Sequence, residues 1–249
     1  MNDQAVATKR WWAQAILIGG VIGVVCLPLG AWGTKFGLWA FTGGFMLLAA
    51  GAVLATLAAF LGAVAYIVCL RKNLLLERPT VLIGVFLGVL VLALLGMQYS
   101  KASSVPPIHN ISTDTENPPQ FDKIVAIRSA SKSNPLDYDA EVLAAEQNKA
   151  YPWVKSLELM DSVDDATDRA ETLMRSMGLE IVSVNKNTGL VEATATTFWF
   201  GFKDDVAVRV TAGANGGSVV DVRSVSRVGQ SDLGANAARI GEILKGLGG

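Results

Sequence analysis

The sequence predicts an α+β chain in two parts. An N-terminal bundle of three transmembrane helices occupies residues 1–101. A soluble domain, with an antiparallel β-sheet packed by two or more helices, occupies residues 123–249, and a Pro/Ser/Thr-rich linker at 102–122 joins the two. Three observations lead there. Three long apolar runs fill the first hundred residues. Charge divides sharply, with seven Lys/Arg against two Asp/Glu in 1–101 and fourteen against twenty in 102–249. In the second half the hydrophobic period alternates between that of helices and that of strands.

The first run, Trp11 to Trp32, is broken only by Gln14, and its length suits one crossing of roughly 20 residues. Lys9 and Arg10 precede it as they would a signal peptide. The run is long for a signal core, however, and no small-residue cleavage site follows. Cys26 is no lipoprotein cysteine, because Val25 stands where a small residue is needed. We read a retained anchor. The second run, Phe36 to Leu70, is too long for one upright helix and too short for two; it predicts one span with Phe36–Gly44 as an entry segment. The third run is Pro79 to Tyr99, with its proline in the first turn, where no hydrogen bond is lost. The expected spans are about 11–33, 45–70 and 79–99.

Orientation follows from the cations. Lys9 and Arg10 flank the first span, and Arg71, Lys72 and Arg78 lie between the second and third, whereas the first loop holds only Lys35. Short Lys/Arg-rich segments stay in the cytoplasm. The expectation is an inner-membrane protein with a cytoplasmic N-terminus and a periplasmic C-terminal domain. Gly19–Gly23, Gly33–Gly37 and Gly84–Gly88 have the spacing that lets helices approach closely, within the chain or between copies as a homo-oligomer. No charged residue lies deep in a span, which argues against transport.

Lys101 to Gln120 (KASSVPPIHNISTDTENPPQ) is rich in Ser, Thr, Asn and Pro and favours extended chain. Its Asp114 and Glu116 are candidates for a polar turn packed on the domain. Lys123–Arg128 reads as a short strand, Ala140–Lys149 as a helix and Ser156–Met160 as a strand. Ser162 and Asp165 form a capping box. Val163, Ala166, Ala170, Leu173, Met174 and Met177 then recur at helical steps up to the stop at Gly178. Four strands follow: Leu179–Val184, Leu190–Phe200, Asp205–Thr211 and Ser218–Ser226. A hairpin centred on Asn215 places Arg209 opposite Asp221, away from the face of Val206, Val208 and Val210. Leu233, Ala237, Ile240, Leu244 and Leu247 mark a last helix, with Ser231 or Asp232 as its N-cap.

Three groups of side chains are candidates for chemistry. Phe198, Trp199, Phe200 and Phe202 form an apolar surface; with the strand running past Gly201, the three phenylalanines would point one way and Trp199 the other. Arg223, Arg227, Ser231, Asp232, Asn236 and Arg239 surround the start of the last helix, where free amides and arginines suit an anion, or where Asp221 and Asp232 neutralise the arginines in a structural network. Asp204 and Asp205 would point to opposite faces and read as a solvated turn. No catalytic residue, cofactor site or metal site is expected. The only cysteines, Cys26 and Cys69, lie in apolar runs, the single histidine is His109, and no nucleophile elbow, phosphate loop or dinucleotide fingerprint is present. The acidic second half has no basic tract for nucleic acid.

The stretches IHNISTDTENPPQF (108–121), EATATTFWFGFKDDVAVRV (192–210) and DVRSVSRVGQSDLGANAARI (221–240) resemble the domain-of-unknown-function family 1499 of bacterial envelope proteins. The resemblance covers about residues 108–247 and implies a fold and an extracytoplasmic setting, with no activity or catalytic residues to carry over. The three-span anchor departs from shorter exported members. The leading expectation is a non-enzymatic envelope protein that meets the lipid bilayer and binds a lipid, another envelope protein or an apolar or anionic ligand. The alternatives are a hydrolase or transferase using Asp114, Glu116, Asp204 or Asp232, and a structural module assembled through glycine faces.

Overall fold

The structure is a computed structural model that describes residues 10–214 and 216–248. Lys9 and the expected hairpin centre, Asn215, lie outside the described residues. The chain divides into two units, residues 1–100 with 198–201 and residues 101–197 with 202–249.

In the first unit, helices α1 (Trp11–Lys35), α2 (Phe41–Arg71) and α3 (Arg78–Ser103) are long and apolar enough to cross a membrane. Segment 36–44 departs slightly from the expected entry segment, since helix α2 already begins at Phe41. Glycines let the three helices touch. A Cβ at Gly20 would sit 2.8 Å from the Gly84 carbonyl oxygen, one at Gly23 would sit 3.2 Å from that of Gly51, and one at Gly88 would sit 2.5 Å from that of Ala55. Of the expected pairs, Gly23, Gly84 and Gly88 thus serve packing inside the chain. Gly33 receives the Trp39 ring, Gly19 lies 4.0 Å from its nearest neighbours, and Gly37 meets nothing.

The second unit is a six-stranded antiparallel sheet. Strands β3 (Glu180–Asn185), β4 (Leu190–Thr196), β5 (Lys203–Ala212) and β6 (Ser218–Ser226) form the expected meander, and Arg209 pairs with Asp221. Strands β1 (Asn110–Ser112) and β2 (Leu157–Leu159) both lie against β6. Helices α6 (Val163–Ser176) and α7 (Ala235–Gly248) cover one face over a core that includes Met174, Val191, Val206, Val208, Val222 and Ile240. The α6 box is in place, with the Asp165 amide donating to Ser162 Oγ at 3.1 Å. Leu233, expected in the last helix, precedes it with φ 55°.

Two elements differ from expectation. The stretch read as a linker contributes β1, which pairs Asn110–Ser112 with Val225–Arg223. Lys123–Arg128, read as a strand, is helix α4 (Lys123–Ser129). Its alternating pattern is overridden from a distance, because the Glu192 carboxylate accepts from the amides of Asp122, Lys123 and Ile124. Helix α5 (Ala140–Ala150) forms as expected.

The two sheet margins are treated differently. At β1 the fully buried Gln147 of α5 accepts from Ser112 N at 2.9 Å and donates to Ser112 O at 2.7 Å. Its amide does for that rim what a neighbouring strand would do. At the other margin β3 carries a bulge between Ile181 and Ser183, and among the described residues its backbone makes no bond to another stretch of backbone outside the sheet, only Asn185 O accepting from Thr188 Oγ1 at 3.4 Å.

Candidate functional site

Strand alternation gives the sheet one apolar and one polar face. The even residues of β5 enter the core under α6 and α7, whereas Asp205, Ala207 and Arg209 face α4 and the 110–139 segment. On that face lie Glu192 and Thr194 of β4 and Asp221 and Arg223 of β6, and all of them are buried. Residues 110–139 close over them.

Asp205 is the centre of this layer. Its carboxylate pairs with Arg128 Nε at 2.7 Å and with Arg227 through Nε at 2.9 Å and Nη2 at 2.7 Å, and accepts from Thr194 Oγ1 at 2.8 Å. Arg128 also donates to the carbonyls of Asn134 and Val225. Asp221 binds Arg209 at 2.9 Å, Thr113 at 3.0 Å and Ser156 at 2.5 Å. Arg209 continues to Asp114 at 3.1 Å. Asp114 in turn accepts from the amides of Glu116 and Asn117, which builds the polar turn, while Glu116 itself is exposed. Among the described residues Arg223 pairs with no carboxylate. It donates to Asn110 Oδ1 and to the carbonyls of Pro119 and Leu136, between the rings of Phe121 and Tyr138. Burial pulls the Arg223 guanidinium down to about 10, still a cation at neutral pH, and pushes the Tyr138 phenol up to about 12.

The six residues expected to hold an anion do not converge. Arg223 and Arg227 lie on the α4 face; Arg239 lies on the α7 face, where it binds Asp204 at 2.8 Å and Asn236 Oδ1 at 2.7 Å. Asp232 takes up the amides at the start of α7, accepting from Gly234 N at 2.8 Å and Asn236 N at 2.7 Å, and Ser231 accepts from Leu233 N. The helix start is therefore filled by the chain's own carboxylate. Asp204 and Asp205 do point to opposite faces, but the expected solvated turn is wrong. They sit inside β5 at 3% and 0% exposure, because each meets an arginine from the helix on its own side, Arg239 of α7 for Asp204 and Arg128 of α4 for Asp205.

Two carboxylates of the domain are shifted in opposite directions. Burial pushes Asp205 up, but hydrogen bonds from Arg227, Arg128 and Thr194 outweigh it and hold the carboxyl below its ordinary 3.8. Burial dominates at Asp232, which is raised despite its amide bonds. The stabilisation from Asp205 is thus complete above pH 3.8 and is lost as pH falls through its depressed value. The contribution of Asp232 is complete below 3.8 and lost as pH rises through its raised value. Urea midpoints followed by near-ultraviolet circular dichroism are expected to fall steeply below pH 3.8. The Asp232→Asn variant should keep that acid limb, and a flat acid limb in the wild-type chain would refute the assignment.

The aromatic run ends differently from the expected long strand. Strand β4 stops at Thr196, and a short loop turns the chain into β5, closed by Thr197 N donating to Phe202 O at 2.8 Å and by Phe202 N donating to Thr197 Oγ1 at 2.9 Å. Gly201, at φ 68°, permits the turn. The three phenylalanines therefore do not share a strand face. Phe198 and Trp199 are 68% and 54% exposed, and Phe200 and Phe202 are half-buried. Residues 198–201 belong to the first unit. There Trp199 stacks on Trp32 at 6.1 Å, Phe200 meets Phe45 at 5.4 Å, and Lys35 Nζ donates to Phe198 O at 2.8 Å while lying over the Phe198 ring.

The sequence reading missed Glu192 and Arg128 and did not see Asp205 as buried. One signal was available. Charged residues recur at every second position of β-forming runs, as at Arg209, Asp221 and Arg223, which marks a second face and not a solvated edge. Compared with known proteins, residues 110–247 match the model of a family described as a protein of unknown function, DUF1499. No curated protein matches the chain.

Proposed function

This chain belongs to the DUF1499 family, whose function is unknown, and we propose that it acts by binding, as an envelope protein whose β4–β5 tip enters the lipid interface. The protein carries three helices long and apolar enough to cross a membrane. In the proposed orientation its N-terminus is cytoplasmic and its second unit lies in the periplasm. One observation carries the reading: Phe198 and Trp199 expose large rings at the end of a hairpin whose tip groups with the apolar helices. Aromatic side chains beside a lysine are what a bilayer interface accommodates, with rings among the headgroups and the ammonium toward water. Solvent would leave those rings as an apolar patch.

The catalytic alternative has little support. Asp114, Asp204 and Asp232 are each committed to internal partners, and Glu116 stands apart on the surface. Among the described residues no three His, Cys, Asp or Glu side chains group as metal ligands.

A nitroxide attached to cysteine tests the tip. The chain is reconstituted in vesicles with Cys26 and Cys69 replaced by alanine, and labels are placed at Phe198→Cys and at Met160→Cys, a site 88% exposed. At 198 oxygen should relax the label more than a water-soluble nickel chelate does; at 160 the order should reverse. Chelate access at 198 equal to that at 160 would overturn the proposal.

A further inference from the structure

The first unit contains an apolar groove of about 500 Å³ on the outer surface of α1 and α2. Its lining includes the small residues Ala15, Gly19 and Ala58 and the larger Trp11, Leu57 and Leu61. Trp12 and Ala65 lie at one end. This volume falls in the range of sites that hold a discrete ligand. The groove is open at Gly19, which leaves the space a side chain would take: a Cβ there would still be 4.0 Å from Ala58 and from the Leu54 carbonyl. The packing glycines Gly20, Gly23, Gly84 and Gly88 point into other helix contacts, so helix pairing within the chain does not account for this surface.

Charge identifies the occupant. The α2 positions lining the groove, Leu57, Leu61 and Val64–Ala65, advance by helical steps, and the next two steps reach Val68 and then Arg71–Lys72. Arg71 and Lys72 are exposed at the end of α2. The N-terminal end of α1 lies beside that end of α2, since Trp12 and Ala13 share an apolar cluster with Ala65, Tyr66 and Cys69. Arg10 stands there too, 3.5 Å from the buried Glu77 and 56% exposed. The lining is thus apolar throughout, with two indoles, and Arg10, Arg71 and Lys72 lie beyond it on the side of Trp11, Trp12 and Ala65. An acyl chain fits the lining and an anionic headgroup fits the cations beyond it. Basic clusters beside helix clefts recognise anionic lipids in this way.

We infer that the α1/α2 groove binds one anionic phospholipid, its tail along Gly19 and Ala58 and its phosphate at Arg71 and Lys72. This site is separate from the proposed β4–β5 tip, and either can fail without the other. The test is native mass spectrometry of the full chain from nanodiscs. These contain phosphatidylglycerol and phosphatidylcholine of identical tails in equal amounts. One phosphatidylglycerol should be retained with about thirty-fold preference, the size two basic side chains at a membrane surface supply. Arg71→Gln with Lys72→Gln should remove the preference but keep tail binding, and Ala15→Phe should remove retention of both lipids. Equal retention of the two lipids by the wild-type chain would mean annular lipid only and would overturn the inference. So would unchanged retention in Ala15→Phe, or a chain that leaves the nanodisc as a lipid-free dimer.

Discussion

Replacing Asp205 with alanine is expected to destabilise the domain formed by residues 110–247 more than any other single change. The carboxylate is fully buried, and its removal strands two cations, Arg128 at 5% and Arg227 at 15% side-chain exposure. Breaking a buried pair from one side costs about 3–5 kcal/mol. Domains of this size are stable by only about 5–15 kcal/mol, so a large share of that margin disappears. The measurement is amide hydrogen exchange across β5 and β6 in the detergent-solubilised full chain. Protection there should collapse in Asp205→Ala, while α1 to α3 keep theirs. Changing Asp205, Arg128 and Arg227 together to apolar residues of similar size should restore much of it, because the loss comes from uncompensated charge and not from missing attraction. If Asp205→Ala keeps native protection, the ionic layer contributes nothing to stability.

Glu192→Ala should produce the next largest loss, and a local one. Glu192 is fully buried and receives the amides of Asp122 and Lys123 at 2.8 Å, that of Ile124 at 3.3 Å, and the Ser183 hydroxyl at 2.7 Å. Without the carboxylate the buried Ile124 amide is left unpaired and the three part-buried donors lose their acceptor, at a cost of about 1–3 kcal/mol. Exchange should quicken first at 121–129, before β5 and β6 respond. Glu192→Gln, which keeps one acceptor oxygen, should lie between the variant and the wild type. Unaltered protection of α4 in Glu192→Ala would show that its helical state has another source.

These two residues also mark where sequence reading stops. Helix α6 was legible because its signals are local: Ser162 caps Asp165 three residues on, and Ala166, Ala170 and Met174 fall on one stripe. The Arg209–Asp221 pairing was legible because a hairpin fixes its own register. Helix α4 was not, because its first amides are satisfied by a side chain about seventy residues away. Strand β1 was hidden likewise, since nothing in Asn110–Ser112 announces β6 as its partner or Gln147 as its cover. At the candidate site the arginines around α7 were visible as a cluster in sequence, yet strand alternation sends Arg223 and Arg227 to one face and Arg239 packs on the other. Nearness along the chain was mistaken for nearness in space.

The Gln147 amide on Ser112 has a consequence for what the folded protein can become. A fibril built by strand addition needs two available rims on every subunit, one to receive and one to offer. Here one side presents a plugged β1 and a three-residue β2, and among the described residues the outer edge of β3 is the rim without a strand. With one open rim in place of two, growth of such a fibril from folded subunits would stop after a single pairing.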